Sequence, residues 1–176
     1  MKKSILFAAI AAVPFFSFAQ SANTITFRGE VAEQTCSVAV NGNASSPVVL
    51  LPTVSTSDLA SAGSSAGQTD FTVSVSGCNA SVTPQAVNTT FLPNAVTAGG
   101  NIANTGTATN VSLQLLDPAT PGFAFPLAGG YSAPGLNVAA NETSASHNFA
   151  VRYFTEGAAA TAGTVIGAVQ YSVAYP

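Results

Sequence analysis

The chain has 176 residues, enough for one domain with a full core, yet only 6% of its residues are charged while 47% are hydrophobic. Four basic residues against seven acidic ones exclude a nucleic-acid surface, which needs clustered Lys and Arg to neutralise phosphates. A single histidine and scattered carboxylates leave little for acid–base catalysis or a metal centre, so no enzymatic role, no cofactor and no metal are expected.

Lys2 and Lys3 form a positive head, residues 5–18 an apolar run broken by Pro14, and Ser17 and Ala19 place small residues at the −3 and −1 positions of a cleavage site. This is the layout of a secretory signal peptide over residues 1–19, and the run is short for a bilayer span. Beyond it no lysine remains, and Arg28 and Arg152 are the two strong bases. An exported chain with two cysteines points to a Cys36–Cys78 disulfide. One distant histidine and no C-x-x-C spacing leave no zinc alternative. The loop-entropy model gives such a bridge about 4 kcal/mol as an upper figure.

From there the chain reads as strands and turns. Ile25, Phe27 and Val31 share a face, then Cys36, Val38 and Val40 alternate. Residues 48–51 are a short apolar run ended by Pro52. Phe71, Val73 and Val75 alternate with Thr and Ser and lead into Cys78. Val87, Thr89 and Phe91 follow, then Val111, Leu113 and Leu115, then Phe149, Val151 and Tyr153. The last alternation is the cleanest: Val165, Gly167, Val169, Tyr171, Val173 and Tyr175. Residues 55–69, 93–110 and 119–143 are rich in Gly, Ser, Asn, Ala and Pro and read as turns. A helical turn is expected near 57–62, capped by Thr56 or Ser57. The pattern predicts an all-β Greek-key sandwich in one domain.

Two features invite a chemical reading. Gly63-Ser64-Ser65-Ala66-Gly67 matches G-x-S-x-G, but that motif works as a nucleophile elbow only between a buried strand and a helix, with His and Asp partners. In this Ser/Ala/Gly-rich stretch it reads as a loop. His147 is expected at a surface or edge position. Triplets such as Asn79-Ala80-Ser81 and Asn141-Glu142-Thr143 occur by chance in so polar a chain and receive no role.

The two ends resist a bland reading. Residues 20–27 alternate apolar side chains where a free terminus is usually polar and frayed. Residues 165–175 carry one strongly apolar face with no later strand to cover it, and an exposed flat edge of that kind is an aggregation hazard. Its neighbour is therefore expected from another polypeptide, by strand donation in trans.

At this point the residues resemble a family. Thr26-Phe27-Arg28-Gly29-Glu30-Val31 followed by Cys36, the segment 71–78 ending in Gly77-Cys78, and Val111-Ser112-Leu113-Gln114-Leu115-Leu116-Asp117 are similar to pilin subunits of the bacterial chaperone–usher pathway. So are Ala150-Val151-Arg152-Tyr153-Phe154 with the turn 160–163, and the terminal alternation from Gly163 to Tyr175. The resemblance, closest to the type 1 fimbrial major-subunit group, covers residues 24–176.

The resemblance implies an incomplete immunoglobulin-like Greek-key sandwich lacking its last strand, with an N-terminal donor arm over 20–29 and a pilin domain over 30–176. It implies a structural subunit of an extracellular fimbria, exported through the periplasm and polymerised by donor-strand exchange. Expected partners are neighbouring pilin subunits, a periplasmic chaperone and an outer-membrane usher. The donor residues would be Ser21, Asn23, Ile25, Phe27 and Gly29. The groove edge, read by the chaperone, would comprise Gly163, Val165, Gly167, Val169, Tyr171, Val173 and Tyr175. The competing readings are a minor or adaptor pilin, and a self-contained secreted β-sandwich that binds a ligand. In a polymer, the low-charge surface would become contact between subunits.

Overall fold

Segments that alternate apolar with Ser, Thr and Asn bury one face only when they pair into sheets and the sheets pack face to face. The computed structural model describes residues 36–120 and 122–175, and there the chain forms eight strands: β1 (Ser37–Val40), β2 (Ser65–Ser76), β3 (Gln85–Pro93), β4 (Ile102–Ala103), β5 (Ser112–Leu116), β6 (Tyr131–Val138), β7 (Ser144–Phe154) and β8 (Val169–Ala174). They make two antiparallel sheets, one in the order β1-β2-β7-β5-β4 and one in the order β6-β3-β8. The expected all-β sandwich is present, and no helix among the described residues is long and apolar enough to cross a membrane.

The core lies between the sheets where the alternation predicts it. Phe71, Val73 and Val75 of β2, Val87 and Phe91 of β3, Leu113 and Leu115 of β5, and Phe149 and Val151 of β7 are all buried. Phe91 sits at its centre, edge-on to Phe149 at 5.1 Å and to Phe71 at 6.4 Å, and stacked with Phe125 at 6.3 Å. Such pairs contribute roughly 0.5–1.5 kcal/mol each beyond area burial. Cys36 and Cys78 are joined by a disulfide, which ties the start of β1 to the residue that follows β2 and Gly77.

Two local readings change. The helical turn is a 3-10 turn, Thr56–Leu59, capped by Ser55 rather than by Thr56 or Ser57. The Ser55 side chain accepts from the Ser57 N–H at 3.2 Å, and Asp58 Oδ2 accepts from the Ser55 N–H at 3.2 Å. This reciprocal box explains why the turn starts one residue early. Strand β6 crosses a stretch that reads as turns, because Pro134 and Gly135 interrupt it. Its register against β3 slips between Val87 and Thr89, so the buried Ala133, Leu136 and Val138 do not keep period 2. Proline is tolerated there because β6 is an edge strand.

His147 lies in β7 opposite Val73, beyond the last β5 pairing at Leu116↔Ala150, so β2 alone flanks it there and its side chain stays partly exposed. Its Nε2 is 2.8 Å from Asp117 Oδ2, and its ring packs against Phe149 at 4.8 Å. The ring also covers Gly135 so closely that a Cβ there would fall 2.5 Å from it. The glycine in β6 makes room for an imidazole that one polar partner and one aromatic face hold in place.

Among the described residues one buried side-chain polar atom stands without a hydrogen bond: Thr89 Oγ1, on a fully buried residue of β3. An unpaired buried hydroxyl costs about 1–3 kcal/mol. Thr89→Val keeps the shape and removes that penalty, so it is expected to raise the unfolding free energy by about 1 kcal/mol, measurable by denaturant titration. An unchanged or lowered midpoint would show that the hydroxyl is satisfied in solution.

Candidate functional site

The core described above is open along one side. β8 ends the three-stranded sheet, paired with β3 from Asn88↔Ala174 to Pro93↔Val169. Among the described residues no strand pairs with its other edge. Facing it across a slit, residues 47–51 pass without joining a ladder, with Pro47 at their start and Pro52 just after them. Val49 and Leu51 turn inward and pack on the core, while Val48 and Leu50 are 74% and 83% exposed.

Between these two lips lies a cleft of about 340 Å³. Its floor is the core itself: Phe71, Phe91, Ile102, Leu113, Leu115 and Val151. Val169 and Tyr171 form the wall on the β8 side. Gly167 stands in the same alternating row, and there a Cβ would come within 2.8 Å of Leu113 and 2.9 Å of Ile102. The missing side chain leaves a dent in the wall over those two residues. Farther along β8, Val173 and Tyr175 pack on the core, and the Tyr175 hydroxyl accepts the Cys36 N–H at 3.0 Å.

A second cavity of about 500 Å³ lies at the opposite end from Tyr175, where residues 160–166 lead into β8. Val54 and Leu59 line it from one side, Ala160 and Val165 from the other, with Val111 and Tyr153 beneath. Burial raises the pKa of the Tyr153 hydroxyl, which donates to the Pro52 carbonyl at 3.2 Å. Gly163 lies against the backbone of Ala108, where a Cβ would be 2.4 Å from its nitrogen.

The terminal row, Val165 to Tyr175, is thus brought together as one apolar face beside an open edge. The donor residues Ser21, Asn23, Ile25, Phe27 and Gly29 lie outside the described residues. The opposing lip at 47–51 and the floor were not singled out from sequence. The available signal was Val48-Val49-Leu50-Leu51 between two prolines: an apolar run whose flanking residues lack the N–H needed for a ladder.

The hydrolase-like motif and the imidazole are far apart. Ser65 opens β2 opposite Phe154, and His147 is opposite Val73 on the same pair of strands. Eight residues along a strand is roughly 26 Å, so the two side chains do not meet.

Glu156, also unremarked in the sequence, holds the crossover after β7. Its carboxylate accepts from Thr97 Oγ1, from Asn101 Nδ2 at 2.6 Å and from Ser112 Oγ at 3.3 Å. Burial pushes its pKa up, but these bonds and one from the Gly99 backbone outweigh it and hold the carboxyl below its ordinary 4.5.

Residues 25–176 match the family model described as fimbrial protein. The chain is 40% identical over 158 residues to an F17 fimbrial protein of Escherichia coli, covering 86% of each chain. It is 34% identical over 174 residues to the major fimbrial subunit SMF-1 of Stenotrophomonas maltophilia (strain K279a), covering 94% of this chain and 99% of that one. Its fold is similar to that of the P pilus rod subunit PapA, with a TM-score of 0.60 at 14% identity over 80% of this chain and 99% of that one.

A carboxyl whose folded-state pKa is lowered stabilises the fold above its unfolded value, and that contribution is lost as pH falls through the folded value. Glu156→Gln is therefore expected to lower the melting temperature by a few degrees at pH 7, in line with about 1 kcal/mol of weakened charged hydrogen bonds. As pH falls below the ordinary 4.5 and through the folded-state value, the difference from the parent is expected to shrink. A gap of constant size down to the pH of acid unfolding, read by thermal scans, would rule the charged network out.

Proposed function

Because this chain belongs to the fimbrial protein family, a group of structural subunits of extracellular surface fimbriae that assemble with other pilins, we propose that its open groove is the acceptor for a strand donated by a neighbouring subunit. The observation that carries this is the floor of the cleft. Phe71, Phe91 and Leu113 are core residues, and of the residues lining the cleft only Ser46 and Tyr171 carry a polar side-chain group. A ligand pocket would add a few convergent polar side chains for orientation. A slit with an apolar floor and an open strand edge is suited to an extended segment whose alternate side chains enter the core while its backbone pairs with β8.

The donor would be residues 20–29 of the next subunit, with Ile25 and Phe27 entering the slit and Ser21, Asn23 and Gly29 in the same row. Burying two such side chains contributes roughly 3–5 kcal/mol, and main-chain pairing along β8 adds to it. Before assembly, a periplasmic chaperone would lend its own strand to the same edge from 163 to 175, and an outer-membrane usher would be the place of exchange. This order prevents a free apolar edge from aggregating. Residues 1–19 would be removed on export.

Deleting residues 20–27 is expected to leave a subunit that folds on its chaperone, accepts a donor, and is not incorporated after another subunit. Fibres of normal length from that variant, seen by electron microscopy, would defeat donation by this arm. Assembled material from the parent is expected to run as an SDS-resistant ladder that collapses on boiling in acid. A stable monomer produced without any chaperone would instead favour a self-contained binding module.

A further inference from the structure

The wall of the second cavity is built differently from β8. Residues 161–166 join no sheet ladder; they are held by the loop 104–109. The Ala108 N–H donates to the Thr164 carbonyl at 3.0 Å and the Thr105 N–H to the Ile166 carbonyl at 2.8 Å. In return the Thr164 N–H donates to Thr107 Oγ1 at 2.9 Å and the Ile166 N–H to Asn104 Oδ1 at 2.8 Å. Every backbone polar group of Thr164 and Ile166 is thereby paired on the loop side. In extended chain the peptide groups of alternate residues point in opposite directions, so those of Val165 and Gly167 face the groove, in line with the outer edge of β8.

Two glycines permit this contact from opposite sides. A Cβ on Gly106 would lie 2.2 Å from the Thr164 carbonyl oxygen, and one on Gly163 would lie 2.4 Å from the Ala108 nitrogen. Both obstacles are backbone, which no rotamer change relieves, so a side chain at either position must push the two segments apart. Loop and wall are clasped by glycine on each face, and the clasp sets how far Val165 stands from Val54 and Leu59 across the cavity.

We propose that Gly106 and Gly163 are positioning residues for strand acceptance: through the clasp they extend the accepting edge beyond β8 as far as Gly163 and keep the second cavity open to the part of the donor nearest its own domain. The proposal rests on the donor-strand reading and specifies which residues set the groove's length. Every strand pairing among the described residues is antiparallel. A donor that continues the sheet in the same sense places its outer residues beside Tyr175 and residues 28–31 beside the clasped wall.

The test compares two synthetic peptides, residues 20–27 and residues 20–31, each in excess during refolding of the full chain. The readout is the rise in melting temperature, which reports ligand binding by mass action. In the parent the longer peptide is expected to give the larger rise. Gly106→Ala is expected to abolish at least half of that extra rise and to leave the shift from the shorter peptide unchanged. Loss of both shifts in proportion, or of neither, would overturn the clasp's role, since a merely structural defect does not discriminate between peptides. Should Gly106→Ala fail to fold, Thr107→Val removes the side-chain bonds to Thr164 without adding a backbone clash, and the same selective loss is expected. If neither peptide shifts the parent, the donor-strand reading itself falls, and this proposal with it.

Discussion

The slit between residues 47–51 and the outer edge of β8 is the constraint on which the rest of the molecule turns. A two-sheet sandwich is stabilised by excluding water from its middle layer. Here that layer reaches the surface along one line, so Phe91 is at once the hub of the aromatic cluster and part of the cleft floor. On the donor-strand proposal the floor of the slit is both core and acceptor, so filling it would complete folding as much as bind a partner.

The remainder of the molecule holds that slit in shape. The disulfide anchors one end of the first sheet, and Tyr175 reaches over to Cys36 beside it. At the other end, Glu156 gathers Thr97, Asn101 and Ser112, and the loop 104–109 carries the wall of the second cavity. Most of these supports are neutral hydroxyls, amides and backbone groups. A chain with 6% charged residues has few ion pairs to use, and its neutral skin suits a subunit that assembles with other pilins.

What was legible in the sequence followed from period 2. The inward rows of β2, β3, β5 and β7 are those the alternation marks, and Val165 to Tyr175 form the expected apolar face. The failures have local causes. Pro134 and Gly135 break the rhythm of β6 by a bulge, and Ser55 displaces the expected caps because Asp58 answers it three residues later. That the His147 ring turns toward Gly135 of the opposite sheet, which leaves it space, is something no local pattern records.

By itself, the sequence determined which faces are apolar, the last alternation among them, and which cysteines are bridged, because side-chain alternation and cysteine number are local properties of the chain. Only the tertiary structure decided what lies opposite β8. The lip at 47–51, the dent at Gly167 and the approach of Gly106 to Thr164 each join residues more than fifty positions apart. Their distances depend on how two twisted sheets and their crossovers pack, and nothing in the spacing of neighbouring residues encodes them.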